Sequence, residues 1–239
     1  MLFRASSDEQ LREKEKVMRP RGSLVAVALA AFAIVSVGAR QDTDRKVAGG
    51  GIMVKGWQGK VDANAAKQGK TINDSRFEEK NGSFHISAGS ASTYWNPANT
   101  AKGDYTVSAT FTEPKIAAGH PHPYGIFIGG SNMDSDTPTY VYCVAYGDGS
   151  ALVRGFSSGK VVDYQKRQPN AAVAKATEGG SVTQNIAWMV KGGKAECSIN
   201  GTVVASLDQT QLAGQSTDGI YGIRAAHNVD IVVSKLGKK

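Results

Sequence analysis

Residues 186–207 read IAWMVKGGKAECSINGTVVASL. Ile186, Trp188 and Val190 recur at every second position, and Ala195, Cys197 and Ile199 alternate with Lys194, Glu196 and Ser198. A period of two puts the apolar members on one face of a strand. Gly192-Gly193 and Asn200-Gly201 separate the segments, and both pairs tolerate the positive φ that tight hairpin turns need. The stretch therefore predicts strands joined by hairpins. The same reading extends outward. Tyr105, Val107, Ala109 and Phe111 alternate with Thr106, Ser108, Thr110 and Thr112, and Gly147-Asp148-Gly149 separates the segments 140–146 and 151–156. About a dozen such segments come after Gly51 at a spacing of roughly 8–12 residues. None carries a sustained helical stripe; only 208–212 suggests a short turn, capped by Asp208. Many short strands with glycine turns predict an all-β sandwich.

The composition agrees. Of 239 residues, 41% are apolar, enough for one sizeable core, and the 28 glycines serve turns because no G-X-Y period exists. The net charge of +7 divides into +3 over residues 1–47 and +4 over 48–239. Neither part has a basic stripe, so no nucleic-acid partner is expected.

Residues 23–38, SLVAVALAAFAIVSVG, carry no charge and come directly after Arg19 and Arg21. A positive flank before an apolar run leaves the N-terminus in the cytoplasm and sends the downstream chain across the membrane. Two readings stand. The run has the length of a signal-peptide core, Val37-Gly38-Ala39 is a small-residue cleavage site, and Met18 offers an alternative start. As a helix it spans about 24 Å, close to a hydrocarbon core of about 30 Å, and Ala26, Ala30 and Ala33 share a face suited to packing on another membrane helix. The expected organisation is a cytoplasmic tail over 1–22, a signal-anchor over 23–39, a polar and glycine-rich tether over 40–51 and a β domain over 52–239.

AKGDYTVSATFTEP (101–114), PHPYGIFIGG (121–130), YVYCVAYGDGSALVRGF (140–156), INGTVVASL (199–207) and TDGIYGIRAAHNVDIVVS (217–234) together resemble the concanavalin A-like, laminin-G-like jelly roll, closest to the bacterial secreted 3-keto-disaccharide hydrolase-like family. The resemblance covers roughly 52–236. It implies two stacked antiparallel sheets whose concave face or rim loops bind ligands. It leaves function open, because this fold serves glycosidases, lectins and adhesion modules alike.

Retaining glycosidases need two carboxylates close together. The Glu-x-Asp-x-(x)-Glu strand pattern is absent: Glu78 and Glu79 are adjacent and point to opposite faces, Glu113 precedes Pro114 at a strand end, Glu178 lies in a loop, and Glu196 falls on a polar face. His120-Pro121-His122 brings two imidazoles near each other. His85 lies elsewhere, and His227-Asn228-Val229-Asp230 adds a third, but a metal needs three or four convergent ligands, and loop hydrogen bonding is the simpler role. Asn132, Asp134 and Asp136 form an acidic loop of the kind that holds calcium in laminin-G-like domains, or a solvated turn. Tyr94 and Trp95, with Tyr140, Tyr142 and Tyr146, offer surfaces for a sugar or a protein. The Tyr140–Tyr146 strand shows its small face (Val141, Cys143, Ala145) to the core, so its tyrosine face is either open or covered by loops. Cys143 and Cys197 both fall on apolar strand faces and are either bonded or free thiols. No phosphate loop, dinucleotide fingerprint or Gly-x-Ser-x-Gly elbow occurs.

The chain is thus expected to be a membrane-anchored, extracytoplasmic (periplasmic) and non-catalytic binding or scaffolding sandwich. One such role is an accessory subunit of a larger membrane complex, for example a respiratory or photosynthetic one, with protein partners in the membrane or periplasm. The alternative is a secreted carbohydrate binder or 3-keto-disaccharide hydrolase-like enzyme, with its site among Tyr94, Trp95, His120, His122, Tyr124, Arg154, His227 and Asn228.

Overall fold

The computed structural model describes residues 42–116 and 120–239. The apolar run at 23–39 lies outside them; among the described residues, no helix is long and apolar enough to cross a membrane. In chain order the elements are β1 (Gly51–Ile52), β2 (Gln58–Val61), α1 (Ala63–Lys67), a 3₁₀ turn (Ile72–Asp74), β3 (Arg76–Lys80), β4 (Ser83–Ser87), β5 (Ser92–Ala101), β6 (Tyr105–Glu113), β7 (Tyr124–Ser131) and β8 (Thr139–Ala145). After these come β9 (Ser150–Ser157), β10 (Lys160–Pro169), β11 (Val182–Lys191), β12 (Lys194–Ile199), β13 (Thr202–Leu207), β14 (Gly219–Ala225) and β15 (Asp230–Lys238). They form an eight-stranded sheet, β1-β3-β4-β15-β6-β11-β12-β13, and a seven-stranded sheet, β10-β9-β8-β7-β14-β5-β2. The two-residue β1 pairs parallel with β3; the other pairings are antiparallel. The expected two-sheet sandwich is what forms.

The predicted alternation is realised strand by strand. Along β6, Tyr105, Val107, Ala109, Phe111 and Glu113 are buried and the threonines and serine between them are half exposed. β11 and β12 behave likewise, with Ile186, Trp188, Val190, Ala195, Cys197 and Ile199 turned inward. The β11–β12 and β12–β13 turns place Gly192 and Gly193 at φ +56° and +78° and Asn200 and Gly201 at +51° and +85°, the double positive φ of a type I′ hairpin. At 208–212 the backbone N–H of Gln211 donates to Asp208 Oδ1 at 2.8 Å and that of Asp208 to Gln211 Oε1 at 3.0 Å, closing the expected short turn.

Four residues tie the sheets together at mid-sandwich. Cys143 on β8 is disulfide-bonded to Cys197 on β12. Beside it, Trp188 Nε1 on β11 donates to the carbonyl of Ile126 on β7 at 3.1 Å. Ile126 lies opposite Cys143 within one sheet, and Trp188 lies opposite Cys197 within the other. All four are buried without measurable exposure. Of the two states that the sequence left open for the thiols, the bonded one forms.

Residues 42–51 of the expected tether are docked, and the folded unit runs from Asp42 to Lys239. Arg45 anchors its beginning: its backbone N–H donates to Asn228 Oδ1 at 2.9 Å, Nε to the Ala88 carbonyl at 3.1 Å, Nη2 to the Val229 carbonyl at 3.2 Å, and the guanidinium holds both oxygens of Asp230 at 2.9 and 2.7 Å. A planar five-donor fork suits a carboxylate flanked by carbonyls. Further along, Val47 N–H donates to the Asp74 carbonyl at 3.0 Å.

Opening the Cys143–Cys197 bond releases a constraint across 54 residues, so the Cys143→Ala/Cys197→Ala chain is expected to lose about 2–4 kcal/mol of unfolding free energy. Urea denaturation of the oxidised, reduced and doubly substituted proteins checks this; coincident midpoints would show the bond to be energetically idle.

Candidate functional site

The outward face of the seven-stranded sheet carries a second apolar cluster, distinct from the core between the sheets: Trp95, Phe127, Tyr140, Tyr142, Tyr146 and Leu152, with Met133 from the loop after β7 and Phe156 at its edge. The register builds it. Trp95 lies opposite Gly222, Gly222 opposite Phe127, Phe127 opposite Tyr142, and Tyr142 opposite Arg154, whose other neighbour is Asp163 on β10. This is the tyrosine face expected of the 140–146 strand, but it is not open. Tyr140, Tyr142 and Tyr146 keep only 2%, 5% and 9% of their surface exposed.

Arginines take part in covering it. The Arg224 guanidinium lies 5.3 Å from the Tyr142 ring centre and that of Arg167 4.0 Å from the Tyr146 ring centre, both within cation–π range. Each arginine has its own carboxylate. Arg224 pairs both nitrogens with Asp62 at 2.6 and 2.5 Å, Arg154 Nε meets Asp163 at 2.5 Å, and Arg167 Nη2 meets Asp148 at 2.6 Å. Burial works against the Arg224 charge, but the Asp62 carboxylate outweighs it and holds the guanidinium protonated well above its ordinary range.

A cleft of about 550 Å³ opens on this face. Lys60, Thr93, Tyr140 and Phe156 line it from the sheet, Asp62 from the chain entering α1, and Met133 from the loop after β7. Tyr140 Oη and Thr93 Oγ1 are 3.2 Å apart. Lys60 Nζ donates to the carbonyls of Asp134 and Ser135 at 3.1 and 2.5 Å and lies 3.3 Å from Asp136 Oδ1. Of the acidic loop considered for calcium, two carbonyls and one carboxylate thus face a lysine ammonium, while Asn132 turns the backbone with φ +53°.

A second constellation lies at the start of β7 and the β14–β15 loop. His120, His122 and His227 turn their Nε2 atoms toward one oxygen, Asp42 Oδ2, at 3.7, 3.3 and 3.4 Å. The His120–His122 and His122–His227 ring centres are 5.1 and 4.3 Å apart, edge to face. His227 Nδ1 lies 2.8 Å from Asp44 Oδ1, and Asn228 Nδ2 donates to Asp42 Oδ1 at 3.0 Å. Burial, followed by the neighbouring His227, lowers the His122 imidazole to about 4 against the pull of Asp42, so it is neutral at physiological pH.

Of the residues singled out in the sequence, the structure gathers His120, His122, His227 and Asn228. Tyr94 and Tyr124 instead sit fully buried in the core between the sheets, stacked on Phe77 and Phe111, because the parity of their strands turns them inward. Trp95 and Arg154 belong to the outward face. Asp42, Asp44, Asp62 and Arg224 were not anticipated. A charged residue inside the apolar strand GIYGIRA (219–225) was the available signal for Arg224; nothing local marked Asp42 and Asp44.

Glu113 ends β6 with 2% exposure, beside Tyr124. Neither Glu113 Oε2 nor Tyr124 Oη makes a hydrogen bond of acceptable geometry. A Cβ on Gly147 would fall 2.9 Å from Glu113 Oε2 and 2.7 Å from Ile116 Cδ1, so glycine permits the close approach that seals the carboxyl in. Burial pushes Glu113 up to about 7, the Asp230 charge adds to this, and Tyr124 opposes it.

The chain matches no family model and no curated protein. Solved structures share its fold. The carbohydrate-binding module CBM66 from Bacillus subtilis superposes at a TM-score of 0.55 with 7% identity, over 80% of this chain and 99% of its own. A Bacillus subtilis protein with a galectin-like fold superposes at 0.53 with 12% identity, over 77% and 89%. The domain has a concanavalin A-like jelly-roll fold, the fold that the sequence resemblance implied.

The folded Glu113 keeps its proton between its ordinary pKa, about 4.3, and about 7, while the unfolded chain has lost it. Its share of stability therefore falls as pH rises through that window and is flat above it. Glu113→Gln is expected to remove this slope. Urea midpoints of both proteins at pH 5 and 8 test it, and equal pH dependence in the two would refute the assignment.

Proposed function

We propose that the chain is a non-catalytic binding module on the extracytoplasmic side of a membrane, anchored by the run at 23–39, and that it takes a neutral glycan in the cleft beside Tyr140 and Phe156. The carrying observation is the cleft itself. Its volume is in the range of small-ligand sites, aromatic and aliphatic side chains alternate there with Lys60, Asp62 and Thr93, and a sugar presents the same mix of apolar ring face and hydroxyls. The charge pattern supports a neutral ligand: the arginines of the face are each matched to a carboxylate. Asp62, the carboxylate nearest Arg224, spends both oxygens on that pair, which favours binding over acid–base chemistry. A fold neighbour that is itself a carbohydrate-binding module adds support. A buried disulfide suits an oxidising compartment.

The scaffolding role, as accessory subunit of a larger membrane complex, rests on the anchor and on the outward face of the eight-stranded sheet. There Thr110 and Thr112 bond to Asn185 and Thr183 at 2.7 and 2.9 Å, and Met189 stands 41% exposed. Recovery of the native chain in gentle detergent with a stoichiometric co-purifying protein tests that role.

Affinity electrophoresis and calorimetry against a panel of neutral and acidic polysaccharides test the glycan. Retention by a neutral polymer is expected, with Phe156→Ala weakening it several-fold, about 1 kcal/mol for one lost aromatic contact, and Lys60→Ala doing the same. Loss of the acidic polymers alone from the retained set would change nothing; failure of every neutral polymer to retain the chain would end the reading.

A further inference from the structure

Three of the four histidines of the chain meet at Asp42. A hydrogen-bonded imidazole–carboxylate pair sits at roughly 2.7–2.9 Å, as His227 and Asp44 do at 2.8 Å. The contacts to Asp42 Oδ2 are longer, 3.3 and 3.4 Å for His122 and His227. Metal–ligand bonds of about 2.0–2.1 Å arranged tetrahedrally hold neighbouring donor atoms about 3.3 Å apart. Asp42, His122 and His227 offer one donor atom each, all within 4.8 Å of one another, and His120, with a largely exposed side chain, approaches the same oxygen at 3.7 Å.

We propose that Asp42, His122 and His227 form a site for one divalent transition metal of the zinc class, with His120 beside it. Two imidazole nitrogens and one carboxylate oxygen suit that class and not calcium or magnesium, which require oxygen shells. The surroundings are built as such sites are. Asp44 takes Nδ1–H of His227, which fixes the tautomer and leaves Nε2 with its lone pair toward the centre. Asn228 holds Asp42 Oδ1 and so aims Oδ2. The double pair of Arg45 with Asp230 fastens the segment that bears Asp42 to the loop that bears His227. With one donor from the segment entering the domain and two from the sandwich, the metal clamps that segment, immediately after the apolar run, onto the end of the sandwich. This site uses no residue of the glycan cleft and stands apart from it.

The test uses the untagged full chain in mild detergent, stripped with chelator and titrated with zinc(II) and cobalt(II). One equivalent is expected to bind, with the visible absorption of tetrahedral cobalt and a zinc-dependent rise in melting temperature. Asp42→Asn and His120→Ala, both at exposed positions, are expected to lower affinity at least 100-fold together. Asp44→Asn is expected to lower it 10–100-fold with an unchanged circular dichroism spectrum. His85→Ala, the histidine outside the cluster, should bind as the native chain does. Absence of stoichiometric binding by the native chain would overturn the proposal. So would native-like affinity in the Asp42→Asn/His120→Ala chain, or loss of binding in His85→Ala alone.

Discussion

The sandwich depends on a node of four buried residues: Ile126 and Cys143 from one sheet, Trp188 and Cys197 from the other. Two strands of each sheet are linked there by a covalent bond and by an indole hydrogen bond, a few ångströms apart. Sheets that pack by side-chain interdigitation alone can slide by a residue pair with modest loss. A disulfide beside a large indole whose N–H has a single acceptor removes that freedom, since any slip would strand a buried donor, at roughly 1–3 kcal/mol, and stretch a covalent link. With the register held, every second residue along β7, β8 and β9 is committed outward, which brings Phe127, Tyr142 and Arg154 into one row across three strands.

That row explains how an outward sheet face tolerates so many aromatic rings. A bare patch of this kind would invite association. Here arginines cap the rings and acids on α1's approach, on β10 and in the β8–β9 turn neutralise the arginines, so that a charged outer layer rests on an apolar one. Arg224 is the extreme case: its charge is buried, and a buried charge persists only when paired and hydrogen-bonded. Asp62 answers that need and thereby places the start of α1, and with it one wall of the cleft. A structural ion pair and the shape of the binding surface are in this sense one feature.

The end of the sandwich is organised by a different logic. The β14–β15 loop offers Asn228 and the Val229 carbonyl to Arg45, the start of β15 offers Asp230, and docking of Arg45 brings Asp42 and Asp44 to His227. The cluster therefore exists only because a segment of linker-like composition finds partners some 180 residues away in the chain.

By itself the sequence determined what local periodicity can carry: strands, their buried faces, the two hairpins and the all-β class, because an alternation of two and a Gly or Asn at positive φ have few alternative structures. It also marked His120, His122 and His227 as ligand types and Cys143 and Cys197 as core residues. Only the tertiary structure decided which of these meet. It closed the disulfide, turned Tyr94 and Tyr124 into the core and Trp95 outward, covered the tyrosine face with arginines, and made residues 42–50 part of the domain. Each of these outcomes depends on strand order and on contacts between residues distant in sequence, which side-chain spacing does not encode. The physical reason is the same throughout: burial follows from period, whereas pairing of charges and ligands follows from topology.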